Sequence, residues 1–114
     1  MDNTGILDPD GINLNPLNGK PYSDEYKNLA KKWKTFPVYL MAREIIKDIN
    51  DNQVILLQSE TGSGKSVIIP KLVLHTFNYD GKIAMTLPKQ IIAKSAAEFA
   101  AVTLDVVLGE EIGY

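Results

Sequence analysis

The sequence predicts an α/β fold in which helices flank a mainly parallel sheet. Three observations predict it: helix-like and strand-like stretches alternate from residue 37 onward, the short apolar run Val54 to Gln58 has the character of a strand covered on both faces, and a glycine-rich turn joins that run to a helical stretch. A chain of 114 residues is about one domain and buries a modest core. Its 45% hydrophobic and 23% charged residues are ordinary for a globular protein.

The elements follow in order. Residues 1–35 hold Pro9, Pro16 and Pro21 among many Asn, Asp and Gly, a composition that predicts an extended N-terminal arm with little burial. Within it, Ser23 to Lys34 has the pattern of a short helix, with Ser23 as N-cap and Tyr26, Leu29, Ala30 and Trp33 on one face. Residues 36–114 form the second part. Pro37 opens a helix whose Val38, Met41, Ile45 and Ile49 recur at three- and four-residue spacing, ending at Asn50 to Asn52. After Val54 to Gln58 and the glycine turn, a helix is expected from Lys65 to Phe77, bent or loosened in its first turns by Pro70. Asn78 to Gly81 is a turn, Lys82 to Leu87 a second strand, and Pro88 the opening of an alanine-rich helix to Val102. Asp105 to Leu108 and Ile112 to Tyr114 are strand pieces around Gly109-Glu110-Glu111.

Charge and composition exclude several roles. The net charge of −2 supplies no global positive field, so any nucleic-acid contact must be local. Without cysteine there is no disulfide and no thiolate metal site. Lys71 interrupts the apolar stretch Val67 to Leu74, and no run approaches the ~20 residues of a membrane span. The first residues, Met1-Asp2-Asn3, show no secretory leader, and intracellular residence is expected.

The chemistry lies in Ser59-Glu60-Thr61-Gly62-Ser63-Gly64-Lys65-Ser66. A loop that ends at a helix N-terminus turns successive backbone N–H groups inward, where they and the helix dipole attract phosphate. Gly62 and Gly64 allow the tight approach, Lys65 reaches the β- and γ-phosphates, and the Ser66 hydroxyl binds the Mg²⁺ that bridges them. Ser59 stands where the strict P-loop pattern has glycine, which requires a negative φ there. Glu60 through Ser66 are therefore the expected nucleotide-binding residues. Elsewhere, Lys31-Lys32-Trp33-Lys34 is either a grip for single-stranded RNA or a solvated helix end with one apolar anchor. His75 has no neighbouring ligand residue that points to a metal, and Tyr79-Asp80-Gly81 is a turn.

The loop and its flanks resemble the DEAH-box RNA helicases. Glu60 through Ser66 followed by Ile69-Pro70 is similar to the family's motif I, including its Ile-Pro step. Thr86-Leu87-Pro88-Lys89 is similar to motif Ia, and Leu108-Gly109-Glu110-Glu111-Ile112-Gly113-Tyr114 to a Leu-Gly-x-x-Val-Gly-Tyr segment. Asn15 through Ser23 and Phe36-Pro37-Val38 resemble the N-terminal extension of the branch that acts in spliceosome disassembly and ribosome maturation. The resemblance implies the first part of a RecA-like domain of a P-loop NTPase, truncated before the DEAH box and the second such domain. It implies ATP or another NTP with Mg²⁺, RNA as partner, a G-patch-type activator, and nuclear residence for a cellular member. It also implies an RNA-backbone contact through Thr86, Pro88, Lys89 and Gln90, with Lys89 and Gln90 standing where the family has two arginines, which removes the bidentate grip. No catalytic residue is expected within the chain, since the acids that orient the attacking water belong to the missing box. Two other readings compete: a truncated, non-catalytic binder of nucleotide, RNA or protein, and a P-loop NTPase of another class.

Overall fold

The computed structural model describes residues 3–114; Met1 and Asp2, which open the expected arm, lie outside them. The described residues form a 3-10 turn, Gly5–Leu7, and five helices: α1 Asp24–Trp33, α2 Pro37–Leu40, α3 Ala42–Asp51, α4 Lys65–Thr76 and α5 Gln90–Leu104. α4 is central, packing against α3 and α2 on one side and α5 on another.

Local chemistry accounts for the helices. The Ser23 hydroxyl accepts a hydrogen bond from the Tyr26 N–H and caps α1, with Asp24 and Glu25 in the first turn and Lys31 and Lys32 in the last, all matched to the helix dipole. Pro37 sits in the first turn of α2, where a missing N–H costs nothing. The helix expected as one piece from Pro37 is interrupted at Met41 (φ −101°, ψ 15°), which is exposed, and resumes as α3. α4 runs unbroken through Pro70. Pro88 lies outside α5, which begins two residues later behind Lys89.

The fold corrects the expected α/β class. Among the described residues there is no strand and no parallel sheet of a RecA-like domain; the sole ladder contact is an isolated bridge between Leu108 and Ile112. Residues 53–58 and 82–87 exchange no backbone hydrogen bonds with other backbone among the described residues. Val54 and Leu56 are 86% and 94% exposed, so the run chosen as a covered strand is not covered. The physical reason is pairing. A strand has no hydrogen-bonding of its own, and two short parallel runs are marginal without further strands. Helices close their bonds locally and carry the fold instead.

The low-burial expectation for residues 1–35 also gives way. Ile6, Leu7, Tyr22, Tyr26, Ala30 and Trp33 supply half of the core cluster, meeting Val38, Ala42, Ile45, Ile46, Ile68 and Leu72. Tyr22 stacks on Tyr26, and Trp33 lies edge-on to both Tyr26 and Tyr39. Three hydroxyls pin the 3-10 turn: Tyr26 donates to the Gly5 and Asp8 carbonyls, Tyr39 donates to the Ile6 carbonyl, and Tyr79 accepts from the Ile6 N–H at 2.8 Å. Tyr79 is thus an anchor, beyond the turn role read from its sequence. Asn15, 2% exposed, donates its amide to the Leu104 and Asp105 carbonyls and so satisfies the C-terminus of α5. Asp105, left-handed at φ 58°, returns the contact through its carboxylate, which accepts from the Ser23 N–H and hydroxyl.

Trp33 carries a buried indole N–H with no hydrogen-bond partner among the described residues. Trp33→Phe keeps most of the ring contact and removes that orphan donor, so a change of less than about 1.5 kcal/mol is expected in urea unfolding. A much larger loss would show that the indole's extra volume, rather than its edge-on contacts, holds α1 in place.

Candidate functional site

The glycine loop sits directly before α4 and is shaped by two left-handed glycines, Gly62 at φ 85° and Gly64 at φ 93°, the latter being the N-cap. The Ser63 N–H closes a turn on the Glu60 carbonyl at 3.2 Å. The Ser63 carbonyl accepts from the Val38 N–H at 3.2 Å, which docks the loop on the start of α2. Phe36 lies so close to Gly64 that an added Cβ would stand 2.6 Å from its ring. These contacts hold the loop from behind, while Glu60, Thr61, Gly62 and Ser66 remain exposed.

Ser59 meets the condition set by its side chain. Positive φ among described non-glycine residues is confined to Asn78, Tyr79 and Asp105, so Ser59 takes ordinary backbone. Its hydroxyl shares a 2.8 Å hydrogen bond with that of Ser63, and its carbonyl accepts from the Lys65 ammonium at 2.7 Å. Sequence reasoning treated Ser59 only as a departure and missed both bonds; the serine pair at four-residue spacing was the available signal.

Lys65 and Ser66 line an open cavity of about 400 Å³ together with Leu57, Ile69, Pro70, Val73 and the segment Ile83 to Leu87. Thr86 lines the same cavity, so the structure brings this expected RNA contact beside two of the expected nucleotide residues. Glu60 to Gly64, Pro88, Lys89 and Gln90 do not line it. The last three are exposed at the start of α5. No acidic side chain lines the cavity among the described residues. Neither do those residues contain a group of three or more His, Cys, Asp or Glu placed to hold a metal ion.

The donor set nonetheless fits a Mg-nucleotide. The first-turn N–H groups of Lys65, Ser66 and Val67 have no acceptor among the described residues, the Ser66 hydroxyl is unengaged there, and Lys65, held on the Ser59 carbonyl, supplies a cation. The Lys31 to Lys34 cluster resolves differently. Trp33 is 2% exposed and cannot stack on a base, and Lys34 lies 3.9 Å from Asp10, so the solvated helix end with one apolar anchor is the reading that stands. His75 shares a 3.0 Å hydrogen bond between Nδ1 and the Tyr79 hydroxyl and belongs to the core.

Lys71 is the titratable residue that the motif reading passed over. It is buried between α4 and α5, donates to the Thr103 hydroxyl, and desolvation lowers its pKa to about 7.

No protein-family model matches the chain. It is 55% identical over 113 residues to a protein of Acanthamoeba polyphaga mimivirus named as an ATP-dependent RNA helicase, an alignment covering 99% of this chain and 16% of that protein. It is 40% identical over 104 residues to a Saccharomyces cerevisiae protein of the same designation, covering 88% of this chain and 14% of that one. Along nearly its whole length, then, the chain is a relative of proteins named as ATP-dependent RNA helicases, spanning about one sixth of their length.

Proposed function

We propose that this chain is the phosphate-binding segment of an ATP-dependent RNA helicase of the DEAH-box type. The observation that carries the reading is the placement of Lys65 and Ser66 in the first turn of α4, immediately after left-handed Gly64. There the helix N-terminus presents unpaired N–H groups to the β- and γ-phosphates. Lys65 exchanges the Ser59 carbonyl for phosphate oxygen, a charge-assisted bond stronger than the one it leaves. Ser66, whose hydroxyl is exposed, would hold the Mg²⁺ that accompanies the nucleotide, and the metal would neutralise charge on the phosphates. Thr86, beside the same cavity, and Pro88, Lys89 and Gln90, exposed next to it in sequence, offer a contact to the RNA backbone. In this role these residues hold and orient phosphate. The names of the relatives and the motif resemblance support ATP and RNA as the ligands.

The test is a thermal shift with Mg-ADP and Mg-ATP. A ligand that binds only folded chain, at a hundredfold excess over its Kd, stabilises by about 2.7 kcal/mol. We expect that stabilisation in the parent and its loss in Lys65→Ala. Folded parent with no response to either nucleotide would sink the reading.

A further inference from the structure

We propose that Ser59 is a positioning residue of the phosphate loop, its hydroxyl bracing the loop through Ser63 so that the cradle is formed before nucleotide arrives. The inference rests on the phosphate-binding reading above and deepens it. Residues 59 and 63 are the two feet of an arch whose middle has no packing support. Glu60, Thr61 and Gly62 are exposed, and a Cβ built on Gly62 meets nothing within 4 Å. An unsupported arch with a glycine at its centre samples many shapes unless its feet are tied.

The Ser63 N–H closes the inner turn on the Glu60 carbonyl, and the 2.8 Å bond between the Ser59 and Ser63 hydroxyls ties Ser59 itself to that turn. Ser63 is the fixed foot: it is buried, and its carbonyl accepts from the Val38 N–H of α2. Ser59 is the foot joined to segment 53–58, which makes no backbone hydrogen bond to other backbone among the described residues. Binding it to Ser63 therefore transmits the rigidity of α2 across the arch. It also fixes the Ser59 carbonyl, which holds the Lys65 ammonium at 2.7 Å and so sets where that cation waits. Glycine at position 59 lacks the hydroxyl and frees the backbone at the same point, so serine here is a gain of order and more than a tolerated substitution.

The experiment compares Mg-ADP affinity, by calorimetric titration of the 114-residue chain, for the parent, Ser59→Ala, Ser63→Ala, the double variant and Ser59→Thr. A half-buried neutral hydrogen bond corresponds to a weakening of about two- to tenfold. We expect that loss in each single alanine variant and no further loss in the double variant, because both remove one shared bond. Ser59→Thr keeps the hydroxyl and restores affinity. Hydrogen exchange without nucleotide supplies the second readout: the amides of residues 60–64 exchange faster in both alanine variants and at the parent rate in Ser59→Thr. Parent affinity in Ser59→Ala, or additive losses in the double variant, overturns the role of Ser59 while the nucleotide reading stands. Folded parent that fails to bind Mg-ADP removes the nucleotide reading, and the positioning role falls with it, whatever the exchange rates show.

Discussion

Lys71→Met is expected to raise the stability of the chain at neutral pH and to flatten its dependence on pH above 7. Lys71 is 3% exposed, and its ammonium has the Thr103 hydroxyl as partner. Burial lowers its pKa from 10.5 to about 7. Below the folded value both folded and unfolded chains carry the proton, and the folded state bears the full cost of a desolvated charge. Between the two values the unfolded chain keeps its proton while the folded chain has released it, so stability rises with pH. The interval of 10.5 minus about 7 corresponds to roughly 5 kcal/mol across the whole range, an upper figure for the penalty at low pH. Lys82, Glu111 and Tyr114 line a second cavity, of about 500 Å³, which Lys71 also borders, yet desolvation alone accounts for the lowered value.

Methionine has a similar length, fills the site between α4 and α5, and carries no charge to bury. Thr103 loses one donor but keeps its own bonds to the Phe99 and Ala100 carbonyls, so no orphan is created. The measurement is urea unfolding from pH 6 to about 9.5. The upper limit matters, because burial raises the pKa of Tyr22, Tyr26, Tyr39 and Tyr79, the last to about 12. Those phenols ionise first in the unfolded chain, so they lower stability as pH passes about 10 and would mask the lysine. Parent and Lys71→Met curves that run parallel over this window would mean that Lys71 is hydrated in solution.

The helices were legible because their signals are local. Ser23 followed by acids, apolar spacing and terminal lysines specifies α1 without reference to any other element. The strand runs were not legible, since a run such as Val54 to Gln58 becomes a strand only by pairing, and pairing is a property of distant chain. Residues 1–35 misled in the opposite sense. Their composition is polar, but a few well-spaced aromatics, Tyr22, Tyr26 and Trp33, are buried in the core. Asn15 shows the same limit: its role depends on the end of a helix about ninety residues away. At the loop, residue types gave the chemistry and spacing gave the order, but the contacts of Phe36 and Val38 with Gly64 and Ser63 were reachable only through structure. Lys71 carried a readable signal, a lone charge inside the apolar stretch Val67 to Leu74, which was used only to exclude a membrane span.

Gly64→Ala and Gly62→Ala separate conformational strain from steric crowding in that loop. Both glycines have positive φ, 93° and 85°, so alanine at either costs about 1–2 kcal/mol of left-handed strain. They differ in what a methyl group meets. At Gly62 nothing lies within 4 Å, whereas at Gly64 the new Cβ would stand 2.6 Å from the Phe36 Cδ2 and 2.9 Å from its Cβ and Cγ. Phe36 cannot yield freely, because Pro37 follows it and the Val38 N–H bonds to the Ser63 carbonyl. Overpacking against such a wall adds about 1–3 kcal/mol. Urea unfolding should therefore show Gly64→Ala losing about 2–5 kcal/mol and Gly62→Ala only the strain component. Phe36→Ala supplies the control: in the Gly64→Ala background it removes the obstruction, so the double variant should be more stable than the sum of the two single losses predicts. The same pair bears on function, because Gly64 is the N-cap that aims the first-turn N–H groups of α4. If Phe36 sets that aim, Gly64→Ala abolishes the Mg-ADP thermal shift and the added Phe36→Ala restores part of it. If the double variant recovers stability without any shift, the glycine is needed for the approach of the phosphate itself, and Phe36 serves only the fold.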